Sequence, residues 1–185
     1  AGYYPAFAEY PGSQTLRYTT FIALVTDVLE KLARDGARRI AVINTGVSTE
    51  APLALAVRDV LDRTGVAAHV ADIRTLGLGA LHVLDNPRGG HADEHETSLM
   101  LAIDRSRVRM DLAEPEPDDA APRTVFHSPI TLRDDPAAGP GYSRTGATGD
   151  PTRASADKGE VLLKAMVDEL VAGLRALFPD APGMS

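Results

Sequence analysis

The stretch GGHADEHETSLMLAI, residues 89–103, places two histidines, one aspartate and two glutamates within six positions, His91 to Glu96, and follows them with an apolar run. Imidazoles and carboxylates at this density suit proton transfer or metal binding. Taken literally, HADEH fits H-x-x-E-H, the inverted zincin pattern. In that pattern His91 and His95, one helical turn apart, would share a zinc and Glu94 would serve as general base. Two features weigh against it. Gly89 and Gly90 set His91 at a helix entrance, where that geometry is not assured, and nothing marks a further acidic ligand on a second helix. Asp93 and Glu94 have a simpler explanation, because the helix dipole favours acidic residues in a first turn. Glu96 directly precedes TSLMLAI and is expected near the buried edge of the helix, where an unpaired carboxylate is costly. His91 and Glu96 are therefore the candidate acid–base pair or metal half-site.

The elements that must hold this cluster follow from apolar spacing. Residues 1–16 are aromatic, broken by Pro5, Pro11 and Gly12, and read as an irregular binding loop. From Thr19 to Asp35, Phe21, Leu24, Val25, Val28, Leu29 and Leu32 follow helical spacing, and Gly36 stops the pattern. RRIAVIN at 38–44 reads as a buried strand, TGVSTEAPLALAVRDVLDRTG as a loop and helix ended by Gly65, and VAAHVADI at 66–73 as the next strand. Strand, helix and strand with short turns make a βαβ unit and a parallel sheet. The stretch 74–90 is mixed, and a helix is expected from about Asp93 to Ile103. Residues 112–151, rich in Pro, Gly, Asp and Ala, read as a lid or assembly arm with TVFHSPITL as a strand inside it. A long helix closes the chain, with Asp150 or Thr152 as its cap, Pro151 in its first turn, and Leu163, Met166, Val167, Leu170, Leu174 and Leu177 as its core stripe.

The 185 residues fit a single domain with its own core. A net charge of −7 without any basic cluster argues against a nucleic-acid partner. The absence of cysteine removes disulfides, thiolate metal sites and cysteine nucleophiles, and fits a cytoplasmic protein. No apolar run reaches the length of a membrane span, and no signal peptide opens the chain.

GGHADEHETSLMLAIDRSRVRMDLA resembles the signature of the creatininase (creatinine amidohydrolase) family, in which a glycine-flanked histidine is followed five residues later by the glutamate of an E-T-S-L-M-L helix. GATGDPTRASADKGEVLLKAMVDELVAGL resembles the family's G-D-P-T-x-A-[ST]-x-x-K-G segment, and YYPAFAEYPGSQTLRYTTFIALVTDVLEKLARDGARRIAVIN its middle section. The resemblance implies a three-layer αβα fold with a mostly parallel sheet, assembled as a homo-oligomer, such as a hexamer. It implies hydrolysis of a C–N bond in a small, in some members cyclic, amide, with divalent zinc, manganese or iron activating water. By position, His91 and Glu96 resemble the pair that handles the proton of the leaving nitrogen. Glu96 is also a candidate metal ligand, and Asp93, Glu94 and His95 are candidate replacement ligands in a subgroup with NTGVST.

Two departures from the family accompany the resemblance. The family's N-terminal strand, with its metal-binding E-x-H-G-x-H segment and a further aspartate, has no counterpart here, so the fold is expected to be N-terminally incomplete. After the RRIAVIN strand, NTGVSTE stands where many members carry N-G-H-x-[EG]-N. Gly46 falls at the histidine and Ser48 at the glutamate of creatininase itself. Neither is a good zinc ligand. Thr45 and Ser48, with Thr49, are candidates for contacting a substrate polar group, and a turn leading into the next helix is an equal explanation. His69 and His82 read as packed or hydrogen-bonded histidines, His127 as part of the arm, and Arg88 and Arg144 as solvated charges. The expected function is a metal-dependent amidohydrolase. The alternative is a degenerate creatininase-fold binding or assembly protein. In either case the 185-residue chain alone is expected to bind divalent metal weakly or not at all.

Overall fold

The computed structural model describes residues 2–87, 90–116, 131–138 and 141–180. The chain divides into two compact units, which are treated separately: Ala1–Pro5, Gln14–Leu76 and Asp168–Ser185 form one, and Ala6–Ser13 with Gly77–Val167 the other.

The first unit contains helix α1 (Tyr18–Arg34), strand β1 (Ile40–Asn44), helix α2 (Glu50–Thr64) and strand β2 (Ala68–Asp72). The two strands pair in parallel, Ile40 opposite Ala68 through Asn44 opposite Asp72, with α2 as the crossover. This is the expected α/β arrangement, with boundaries moved by two residues or fewer. Leu29 and Ala33 of α1, Val60 of α2, and Ile40 and Val66 form its core, joined by Val25, Val42 and Val57.

β1 is not buried on both faces. Ile40 and Asn44 turn inward, while Ala41 and Ile43 are exposed. A run of apolar residues does not distinguish a strand covered twice from one covered once, because neither face requires a polar residue. On α1 the inward residues are Val25 and Leu29, and Leu24, Val28 and Leu32, spaced four apart, lie exposed. His69 projects outward from β2 and meets the edge of the Phe178 ring, with centroids 5.9 Å apart.

The second unit is built on helix α3 (Glu94–Asp104) and the first half of helix α4 (Ala156–Leu177). The helices touch at Gly159. A Cβ there would lie 1.9 Å from the Ser98 carbonyl oxygen and 2.9 Å from the Ala102 methyl, so only glycine allows the approach. Ser98 is fully buried in the contact, and its hydroxyl accepts the Ser155 N–H at 3.2 Å. Leu162 packs with Ala80 and Leu84 of the segment that precedes the charged cluster.

Two expectations for the C-terminal helix are corrected. Asp150 caps a separate 3-10 turn, Pro151–Arg153, by accepting the Thr152 N–H, while Ser155 accepts the Lys158 N–H at the start of α4 itself. The buried face of α4 runs through Gly159, Leu162 and Met166. Val167 and Leu177, expected in the core, are exposed. The stripe was shifted because the closest contact is made by a glycine, which carries no apolar signal.

TVFHSPITL at 124–132, including His127, lies outside the described residues except for its last two, and Arg88 also lies outside them. The described parts of 112–151 are held by bridges between Glu116 and Gly149, Arg133 and Tyr142, and His91 and Thr148. Tyr10 donates from its hydroxyl to the Ser143 carbonyl at 2.7 Å, which ties the aromatic loop to this segment. Among the described residues no helix is long and apolar enough to cross a membrane.

Candidate functional site

His91 lies in a sharp turn immediately before α3. Its backbone pairs reciprocally with Thr148: its N–H donates to the Thr148 carbonyl (3.3 Å) and to Oγ1 (2.9 Å), and the Thr148 N–H donates back at 2.8 Å. Gly90 makes this possible, since a Cβ there would fall 2.2 Å from the Thr148 carbonyl oxygen. The next residue, Ala92, has φ +49°, a left-handed conformation that an alanine seldom adopts. Such strain persists only where surrounding bonds over-determine it. Here the Ala92 N–H donates to Glu96 Oε2 at 2.7 Å, and the Ala92 carbonyl accepts from the Thr97 hydroxyl at 3.2 Å.

Asp93 is the N-cap of α3, accepting the Glu96 N–H at 2.9 Å. Glu96 is the third residue of the helix, and its side chain folds back over the entrance. This is a capping box displaced by one residue, because the glutamate takes the N–H of Ala92 rather than that of the cap. The same carboxylate reaches His91, with Nδ1 3.3 Å from Oε2. The Phe7 ring stacks on the imidazole with centroids 4.3 Å apart and planes tilted by 42°. The contact uses Nδ1, and the His91 side chain is 46% exposed.

The structure brings His91 and Glu96 into contact, but it exchanges the expected burial of the carboxylates. Glu96 is 51% exposed at its side chain, whereas Glu94 is only 1% exposed. The two residues lie on different sides of the first turn, and the capping bond holds Glu96 at the helix mouth.

The electrostatics follow this placement. Partial withdrawal from water raises the Glu96 carboxyl, but the His91 and Ala92 hydrogen bonds outweigh it and leave the group below its ordinary range. Burial pushes Asp93 up, and the Glu96 N–H recovers only part of that shift. Glu94 is also raised by burial, then carried below its ordinary value by Lys158 and by the N–H groups of Asp85 and Asn86. Adjacent carboxyls are thus shifted in opposite directions, Asp93 by burial at the helix cap and Glu94 by its ion pair with Lys158.

Thr45 and Ser48 belong to the first unit, in the turn after β1, and the structure does not gather them with a ligand-like cluster. The turn is organised by Thr49 together with Asn44 and Asp72, the last two left aside by the sequence reading. Asn44 Nδ2 donates to Asp72 Oδ1 at 2.7 Å, and the buried Thr49 hydroxyl lies 2.6 Å from Asn44 Oδ1 and 2.7 Å from the Gly46 carbonyl. Thr45 is exposed, Ser48 half-buried. Arg144 pairs with Glu114, and His82 Nδ1 contacts the Gly79 carbonyl at 2.8 Å. Phe7, Thr148 and Lys158 were missed individually, although each lies within a segment that carried the resemblance.

The sequence matches the creatininase family, described as creatinine amidohydrolase, over residues 1–174. The chain belongs to the creatininase family. Creatinine amidohydrolase of Pseudomonas putida is 27% identical over 186 aligned residues, covering 92% of this chain and 68% of the relative. A tryptophan-to-phenylalanine variant of creatininase is 27% identical with a TM-score of 0.75, over 96% of this chain and 73% of that one. A glutamate-to-glutamine variant complexed with creatine is 26% identical with a TM-score of 0.72, over 96% and 74% of the two chains. Similar creatininase structures include a Zn–Zn form and a manganese form. These likenesses establish the creatininase fold for the chain and a family-level kinship with amidohydrolases.

The described residues do not fit the divalent ions of those structures. Among them no group of three or more His, Asp or Glu side chains is arranged to hold a metal. His91 and Glu96 make at most a two-ligand set, and the turn at Gly46 and Ser48 offers no imidazole or carboxylate of its own.

Proposed function

We propose that the protein is a creatininase-type amidohydrolase acting on the C–N bond of a small, possibly cyclic, amide, and that His91 and Glu96 pass the proton that the leaving nitrogen must gain. The observation that carries this reading is the His91–Glu96 contact in a strained turn, stacked under Phe7 and open to solvent at the imidazole. Glu96 orients the ring through Nδ1, and Nε2 is then the nitrogen that hands a proton to the substrate. Phe7 covers one ring face and restricts its rotation. The similar creatininase complexed with creatine supports a substrate of creatinine-like size. No metal-dependent step is assigned to the described residues, which do not form a metal site.

The test is release of ammonia or amine, or opening of a cyclic amide such as creatinine, by the purified protein with zinc or manganese supplied. His91→Ala and Glu96→Gln should both lower turnover by about a hundredfold or more. Turnover unchanged in either variant overturns the assignment of the pair.

Gly46 and Ser48, standing where family members carry metal ligands, favour a second reading, a degenerate creatininase-fold binding or assembly protein. It would show saturable amide binding without turnover. In both readings we propose a homo-oligomer. The exposed stripe of Leu24, Val28 and Leu32 on α1 supports it as apolar surface that subunit contact would cover.

A further inference from the structure

Glu94 is 1% exposed, although a favourable helix-dipole interaction alone does not require a carboxylate to leave water. Its oxygens are fully engaged. Oε1 accepts the Asp85 N–H at 3.0 Å and the Lys158 ammonium at 2.5 Å, and Oε2 accepts the Asn86 N–H at 2.8 Å. Lys158 binds the Asp85 carboxylate and the Arg153 carbonyl as well, each at 3.0 Å. One carboxylate therefore ties the start of α3 to residues 85 and 86 and, through Lys158, to the first turn of α4. His91 lies three residues before Glu94, in the turn that this anchor adjoins.

We propose that Glu94, neutralised by Lys158, is a positioning residue: by anchoring the entrance of α3 to Asp85, Asn86 and α4 it sets the turn at residues 91–93, and so the His91 imidazole, against Glu96 and Phe7. Glu94 is the first residue of α3, so its bonds fix the helix entrance from which the Glu96 carboxylate reaches back to Ala92 and His91. The Thr148 bridge holds the His91 backbone from the opposite direction. The consequence of the Glu94 anchor for turnover rests on the proposed amidohydrolase reading, whereas its consequence for the placement of His91 does not.

The test reads that placement directly. The Phe7 ring, with its centroid 4.3 Å from that of the imidazole, imposes a ring-current shift on the His91 ring protons, which Phe7→Leu removes. In the isotope-labelled full chain, Glu94→Gln should move the His91 resonances most of the way to their Phe7→Leu positions while far-UV circular dichroism stays native. Lys158→Met should move them in the same direction, and Lys158→Arg should restore them. Where creatinine or another amide is turned over, Glu94→Gln should lower kcat by about ten- to a hundredfold with KM within about twofold, the signature of a misplaced catalytic group. Unmoved His91 resonances in folded Glu94→Gln overturn the proposal, even with a lower unfolding midpoint, since Glu94 would then only stabilise. Should Glu94→Gln fail to fold, Lys158→Met decides by the same criterion. Absence of turnover by the parent protein would count against the amidohydrolase reading, while the resonances would still decide the role of Glu94.

Discussion

The same substitution at two positions of one helix should change stability in opposite directions. Gly159→Ala and Gly173→Ala both replace glycine by alanine in α4, and alanine is favoured in a helix interior by about 1 kcal/mol. At Gly173 a new Cβ meets nothing within 4 Å, so this variant should gain most of that amount. At Gly159 the Cβ would lie 1.9 Å from the Ser98 carbonyl oxygen, a backbone atom that cannot rotate away. An ordinary contact needs about 3.2 Å or more, so α3 and α4 must part by roughly 1 Å. That movement loosens the fully buried Leu162 and stretches the Ser155–Ser98 hydrogen bond, already 3.2 Å. Overpacking of this kind costs about 1–3 kcal/mol, and the lost contacts place Gly159→Ala at the upper end, net of the helix gain. Equilibrium urea unfolding followed by circular dichroism would measure both variants, with a difference of about 3–4 kcal/mol between them. A Gly159→Ala variant within about 0.5 kcal/mol of the parent would refute the close helix contact and the reason given for glycine there.

Glu96→Gln keeps an oxygen for the Ala92 N–H and loses only a half-exposed charge contact, so it should cost no more than about 1 kcal/mol in unfolding. The same variant should lower kcat/KM about a hundredfold or more, and comparable losses of stability and activity would mean that Glu96 is a helix cap alone. Asp93 is raised in the folded state, so its contribution to stability is complete below its unfolded pKa and is lost as pH rises through the folded value. Asp93→Asn retains the cap and removes this loss. The variant should gain on the parent as pH rises through the carboxylate range and show no gain below it, by thermal unfolding across that range. After exhaustive dialysis, elemental analysis of the 185-residue chain should find well under one zinc or manganese per chain. Near-stoichiometric metal lost in Glu96→Gln would refute this. Light scattering at micromolar concentration should give a mass above that of one 19.6 kDa chain, and a monomer would remove the proposed contact along α1.

Local patterns in the chain were enough to place α1, β1, α2 and β2, because helical spacing, a short apolar run and a stopping glycine act over neighbouring residues. The His91–Glu96 pair came from the resemblance to the family signature, and its contact is local, made across five positions at a helix entrance. Burial was decided at longer range. Glu94 is enclosed and Glu96 open because Asp85, Asn86 and Lys158 converge on the former; Lys158 lies 64 residues from it in sequence. The inward face of α4 follows from Gly159 against Ser98, a contact made by the lack of a side chain and so invisible to any apolar pattern. Phe7 and Thr148 reach His91 from distant segments for the same reason: hydrogen bonds and ring contacts between remote residues leave no periodic trace, and only the folded backbone brings them within reach.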